Sequence, residues 1–150
     1  MLLIRCDASA EIGAGHFYRQ LAIAQEARRR GRAVTMVMAS PSSTFIDIAS
    51  ENEVSVEPVP DSVSSDKEAR WLRRTAETRR AAAVIVDGYQ FDTSYFHELE
   101  SGDFRLAAVA DLADRHFPVD VVINVSPHAV ELDYEVSSHT SVLCGLEFVL

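Results

Sequence analysis

"MLLIRCDASAEIGAGHFYRQLAIAQEARRRGRAVTMVMA", residues 1–39, decides the fold. Its apolar opening, Leu2 to Cys6, is too short for a helix and reads as a buried strand. Phe17, Leu21, Ala24 and Ala27 then recur at helical spacing, and Gly31 stops that helix. "AVTMVMA" (33–39) is a second apolar run with no polar alternation. Two such strands joined through a helix make a parallel unit, because a parallel pair needs a long crossover.

The remainder repeats the pattern. "SSTFIDIASEN" (42–52) predicts a short helix, and "VSVEPV" (54–59) a strand closed by Pro58 and Pro60. "DKEARWLRRTAETRRA" (66–81) predicts a long helix that turns Ala69, Trp71, Leu72 and Ala76 to the sheet. "AAVIVDG" (82–88) is the most convincing buried strand, "TSYFHELES" (93–101) a helix, and "FRLAAVAD" (104–111) and "DVVIN" (120–124) further strands. The tail "HTSVLCGLEFVL" (139–150) begins another strand or the approach to a helix. It stops on an apolar residue and is expected to lead into a further domain. The fold expected is α/β: one Rossmann-like domain with a mostly parallel sheet covered on both faces.

Composition narrows the function classes. The chain is 47% apolar and 25% charged, and carries a formal charge of -9. That balance disfavours a broad nucleic-acid surface while leaving room for a small phosphate site. No apolar run reaches membrane-spanning length, and the opening is too short for a secretory signal. A cytoplasmic protein that binds neither nucleic acid nor membrane is expected. Cys6 and Cys144 are too few for a disulfide framework, lack metal-ligand spacing, and read as buried free thiols. His97, His128 and His139 form no zinc pattern, so no metal is expected.

In an open α/β sheet, ligands bind beyond the carboxyl ends of the strands. Asp7 and Ser9 follow the first strand, and Gly13, Gly15 and His16 lead into the first helix. Asp87 and Tyr89 end the "VIVD" strand, Asp111 ends the next, and Asn124 ends "VVIN". The glycines permit positive backbone angles or close approach of a ligand. "GAGH" lacks the third glycine of a dinucleotide fingerprint, where Tyr18 stands, and the lysine of a P-loop.

His16 either caps and packs the first helical turn or acts as a base; the positive end of the helix favours its neutral form. Asp7 is held by loop amides, or orients His16, or meets substrate hydroxyls. Asp87 caps a turn or holds a polar ligand with Tyr89 above it. Asn124 binds a ligand or ties down its own loop. "DLADRH" (111–116) is a charged binding loop or a solvated turn. The arginine clusters 28–32 and 70–74 are expected to face solvent or a partner, away from this edge.

The segments "RCDASAEIGAGHFYRQLAIAQEARRRG" (5–31), "VIVDGYQFD" (84–92), "VADLADR" (109–115), "DVVINVSP" (120–127) and "LCGLEFVL" (143–150) occur in this order. Together they resemble the N-terminal half of the UDP-sugar hydrolases of pseudaminic acid biosynthesis. Relatives of that family are often labelled spore-coat polysaccharide biosynthesis proteins. The resemblance implies a glycosyltransferase-B-like architecture, of which this chain is the N-terminal half, and a C-terminal domain that supplies most nucleotide contacts. It implies attack of water at the anomeric carbon of a UDP-linked 2,4-diacetamido-2,4,6-trideoxy-altropyranose, with UDP expelled and the anomeric centre inverted.

On this chain the resemblance makes His16 the catalytic base and Tyr89 a second site residue. Asp7, Gly13, Gly15, Asp87, Asp111 and Asn124 would shape the sugar side. No nicotinamide, other cofactor or catalytic metal is implied. Where the family carries paired aspartates, this chain has Ala110–Asp111. Two alternatives stand beside the hydrolase: a glycosyltransferase acting on a nucleotide-linked amino sugar, and a non-catalytic sugar- or nucleotide-binding domain.

Overall fold

A computed structural model describes residues 1–9 and 12–149; Ala10 and Glu11 of the glycine loop and Leu150 of the tail lie outside the described residues. Seven strands form one sheet: β1 (Leu2–Cys6), β2 (Val34–Met38), β3 (Ser55–Pro58), β4 (Ala83–Asp87), β5 (Arg105–Val109), β6 (Val121–Asn124) and β7 (Ser141–Cys144). Their order is β3-β2-β1-β4-β5-β6-β7, and every pairing is parallel. The helices are α1 (Gly15–Arg29), α2 (Ser43–Glu51), α3 (Ser65–Thr78) and α4 (Thr93–Glu100). The expected Rossmann-like α/β fold is therefore present, with a fully parallel sheet.

Strand alternation sends successive residues to opposite faces. Ile4, Cys6, Met36, Met38, Ile85 and Val109 pack with Phe17, Leu21 and Ala24 of α1 in one core cluster. Leu3, Val84, Val86, Leu106, Ala108 and Val122 pack on the other face with Leu72 and Ala76 of α3 and Phe96 and Leu99 of α4. The α1 side is covered unevenly. Ile85, Val109, Ile123 and Leu143 line an apolar groove of about 410 Å³, bordered by Ile23 of α1 and by Phe148 and Val149 near the end of the chain.

Helices α1, α2 and α3 stop alike. After α1, the Gly31 amide donates to the Arg28 carbonyl and the Arg32 amide to the Ala27 carbonyl, with Gly31 at φ +73. This is a Schellman closure, which needs a left-handed residue. The same pairs of bonds end α2 at Glu53 (φ 56) and α3 at Arg80 (φ 53), where the left-handed residue is not glycine. Cys6 is buried, but Cys144 is half-buried, contrary to the expectation of two buried thiols, because its strand lies at the sheet edge. Among the described residues no helix is long and apolar enough to cross a membrane.

Candidate functional site

The strand order reverses direction between β1 and β4, and α1 starts at that switch, above their carboxyl ends. Ahead of it two amides reach back to Ser9: the Gly13 amide donates to the Ser9 carbonyl (2.8 Å) and the Ile12 amide to Ser9 Oγ (3.1 Å). Gly13 sits at φ +83, so its glycine answers a backbone need. Gly15 is different. A Cβ there would meet nothing within 4 Å, so it leaves open ground over the start of α1.

His16 enters the first turn and is 7% exposed. Its Nδ1 lies 2.7 Å from Oδ1 of Asp87, the last residue of β4, which is fully buried. Asp87 falls on the α1 side because it alternates in register with Ile85. Three more donors reach it. Arg19 donates from Nε to Oδ2 (2.6 Å) and from Nη2 to Oδ1 (2.5 Å), and Gln20 Nε2 donates to Oδ2 (2.7 Å). Burial alone would push the Asp87 carboxyl up; the hydrogen bonds from Arg19, His16 and Gln20 overcome this and hold it below the ordinary carboxylate range.

Arg19 continues outward. Its Nη1 donates to Asp111 Oδ1 (2.6 Å), and the Tyr89 hydroxyl donates to Asp111 Oδ2 (2.8 Å). Asp111 is likewise lowered: burial raises it, and the bonds from Arg19 and Tyr89 outweigh that. The bond to the Asp111 carboxylate raises the phenol of Tyr89, so it stays a neutral donor. The Tyr89 ring is 56% exposed and stands edge-on to His16, with centroids 5.0 Å apart and planes at 77°.

The loop that carries Tyr89 is fixed from two sides. Arg115 Nη1 donates to the carbonyls of Tyr89 and Phe91, while Nε and Nη2 hold Asp114. Gly88 admits no side chain: a Cβ would lie 2.5 Å from Gln90 Oε1 and 2.8 Å from the Phe91 ring. Beneath Tyr89, residues including His16, Arg19, Asp111 and Arg115 line a cleft of about 20 Å³. A buried water needs ~10–15 Å³ on this measure, so the cleft has room for about one water.

Of the residues expected at the site, His16, Asp87, Tyr89 and Asp111 come together. Two do not join them. Asp7 alternates in register with Arg5 and so lies on the α3 side, where it binds Arg5 Nη1 (2.7 Å), the Ala39 amide (2.7 Å) and Gln90 Nε2 (2.9 Å). One loop amide, that of Ala39, reaches Asp7, and His16 pairs with Asp87 and not with Asp7. Asn124 alternates with Val122 and also lies on the far face; it is buried, and its Oδ1 accepts from the Ser126 amide (3.0 Å), tying down its own loop.

Arg19, Gln20 and Gly88 are additions that reading the sequence missed. The available signal was spacing: His16, Arg19 and Gln20 stand at i, i+3 and i+4, one face of a helix. Among the described residues no group of three or more His, Cys, Asp or Glu is arranged to hold a metal ion. In comparison with known proteins, the chain matches no family model and no curated protein.

Proposed function

We propose that this chain is the sugar-side domain of a cytoplasmic UDP-sugar hydrolase acting on a UDP-linked diacetamido-trideoxy sugar, the N-terminal half of a glycosyltransferase-B-like enzyme. The observation that carries the reading is the buried His16–Asp87 pair beside a cleft with room for one water. With Nδ1–H donated to Asp87, Nε2 keeps its lone pair and accepts a proton. In the proposed reaction a water oxygen attacks the anomeric carbon, its proton passes to His16 Nε2, and the bond from that carbon to the UDP oxygen breaks. Tyr89 stands over the base as a neutral phenol that, with its proton given to Asp111, accepts from a sugar hydroxyl or shields the water.

The charges at this edge support a division of labour. Arg5, Arg19 and Arg115 are each bound to carboxylates, and Asp7, Asp87, Asp111 and Asp114 surround them. A diphosphate gains little from such a surface, so a second domain supplies its contacts. A water-sized cleft also favours hydrolysis over transfer to a bulkier acceptor.

The test is UDP release from a panel of UDP-linked amino sugars by the full-length gene product, without added acceptor. His16→Asn is expected to lower turnover at least a hundred-fold with the fold intact, as removal of a general base does. Normal turnover in a folded His16→Asn protein refutes the base assignment. Release that needs an added acceptor makes the protein a transferase, and saturable binding without release makes it a binding domain.

A further inference from the structure

We infer that Arg19 is a positioning residue that sets the tautomer of His16 through Asp87 and seats Tyr89 through Asp111. The inference rests on the hydrolase reading for its consequence in turnover, and on geometry for its substance.

The Asp87 carboxylate has four lone-pair positions, and four donors fill them, two on each oxygen. Arg19 supplies two, on different oxygens, in the side-by-side fork that suits a carboxylate. The carboxylate therefore cannot rotate without breaking charged bonds on both of its oxygens. Its Oδ1 stays fixed 2.7 Å from His16 Nδ1.

Arg19 Nη2 also lies 2.9 Å from His16 Nδ1. If Nδ1 lacked a proton it would accept from Arg19, but its lone pair would then face Oδ1 of Asp87 at 2.7 Å, acceptor against acceptor. With the proton on Nδ1, both nitrogens donate to the one oxygen between them. The second arrangement satisfies every group, and in a neutral ring it leaves Nε2 bare.

Charge enforces the same result. Asp87 is fully buried, and its negative charge must be offset. Arg19 offsets it, which frees the imidazole from doing so. Without that guanidinium, the groups facing His16 are Asp87 from β4, Asp111 from the end of β5, the neutral phenol of Tyr89 and, across the cleft, Arg115 already paired with Asp114. The nearest remaining source of positive charge is the imidazole itself, which takes a second proton on Nε2 and ceases to be a base. The outward arm of Arg19 acts separately: its Nη1 holds Asp111, whose other oxygen holds the Tyr89 hydroxyl.

The experiment is a long-range 1H–15N spectrum of the histidine ring nitrogens in the 15N-labelled chain at neutral pH, with Arg19→Met and Arg19→Lys alongside. Wild type is expected to show His16 Nδ1 protonated and Nε2 bare. Arg19→Met is expected to lose the bare-Nε2 signal, and full-length Arg19→Met to lose about a hundred-fold in turnover, the scale of general-base catalysis. Arg19→Lys keeps the charge and is expected to keep the signal, while its single ammonium releases Asp111 and the Tyr89 ring resonances shift.

A proton on Nε2 in wild type overturns the inference, as does an unchanged spectrum in folded Arg19→Met. Should the methionine variant fail to fold, Arg19→Lys still decides: loss of the bare-Nε2 signal there overturns the charge argument. Expected spectra without UDP release from any substrate sink the hydrolase reading and leave the positioning role standing. Release with spectra indifferent to Arg19 does the reverse.

Discussion

Asp87→Asn tests the centre of the site by stability alone. Asp87 accepts four hydrogen bonds, from His16, Gln20 and twice from Arg19. The amide keeps one oxygen and turns a donor group towards two of those donors. Breaking a buried charged pair by altering one partner costs about 3–5 kcal/mol. The Arg19 side chain is 25% exposed and regains some hydration, which discounts the figure towards about 3 kcal/mol. For a domain of this size, that lowers Tm by roughly 6–12 °C.

The pH dependence carries a sign. Asp87 is held below its ordinary value in the folded state, so its contribution is complete above the unfolded value of about 3.9 and is lost as pH falls through the folded value. Urea unfolding of wild type and variant, followed by circular dichroism, is expected to show the full gap at neutral pH and a narrowing gap below about pH 4. A gap under about 1 kcal/mol at neutral pH, well short of the 3–5 kcal/mol of a broken buried pair, refutes the reasoning. So does a gap that widens in acid.

Gly88→Ala forces a methyl against the buried Phe91 ring and the Gln90 amide; a loss of about 1–3 kcal/mol in urea unfolding is expected, with the Tyr89 ring signals shifted. Arg80→Gly relieves a left-handed residue that needs no side chain and is expected to stabilise the fold by about 1 kcal/mol, whereas Gly31→Ala costs about as much. Burial, aided by the nearby Asp87 carboxylate, pushes the Cys6 thiol up to about 12, so alkylation of the folded chain at neutral pH is expected at Cys144 alone. Modification of both thiols at equal rates, read by mass spectrometry, would contradict the burial of Cys6.

The strands were legible because a sheet covered on both faces demands near-continuous apolar runs, and "LLIRC", "AVTMVMA" and "AAVIVDG" have them. The carboxyl-end convergence of His16, Asp87, Tyr89 and Asp111 was legible from topology. The facing of each residue was not read, although the alternation held it. Arg5 and Asp7 share one side of β1 with Leu3, and Asn124 shares its side with Val122, so neither Asp7 nor Asn124 can meet a helix packed over Ile4 and Ile85. Arg19 and Gln20 were missed for another reason. On a helix scanned for apolar spacing, two polar residues on the buried face look like interruptions, and their partner Asp87 lies 68 and 67 positions away.

Two arginine networks flank β1 and β4, and they differ in one respect. On the α3 side Arg5 grips Glu68 through Nε (2.7 Å) and Nη2 (3.3 Å), binds Asp7, and lies 4.9 Å from the centre of the Phe91 ring, while Tyr95 donates to Glu68 (2.8 Å). Burial, with the Glu68 carboxylate beside it, holds the Tyr95 phenol well above its ordinary value, and no histidine joins these groups. It fastens the sheet. On the α1 side the same chemistry of arginine and carboxylates includes His16, whose Nδ1 is committed and whose ring borders the cleft. The loop after β4 is tied to both, through Gln90 to Asp7 and through Tyr89 to Asp111. Glycine at position 88 leaves the room that the Gln90 side chain and the buried Phe91 ring occupy. The fastening on one face thus helps to hold the Tyr89 ring against His16 on the other, and Asp7, which fastens the fold, stands at the same strand edge.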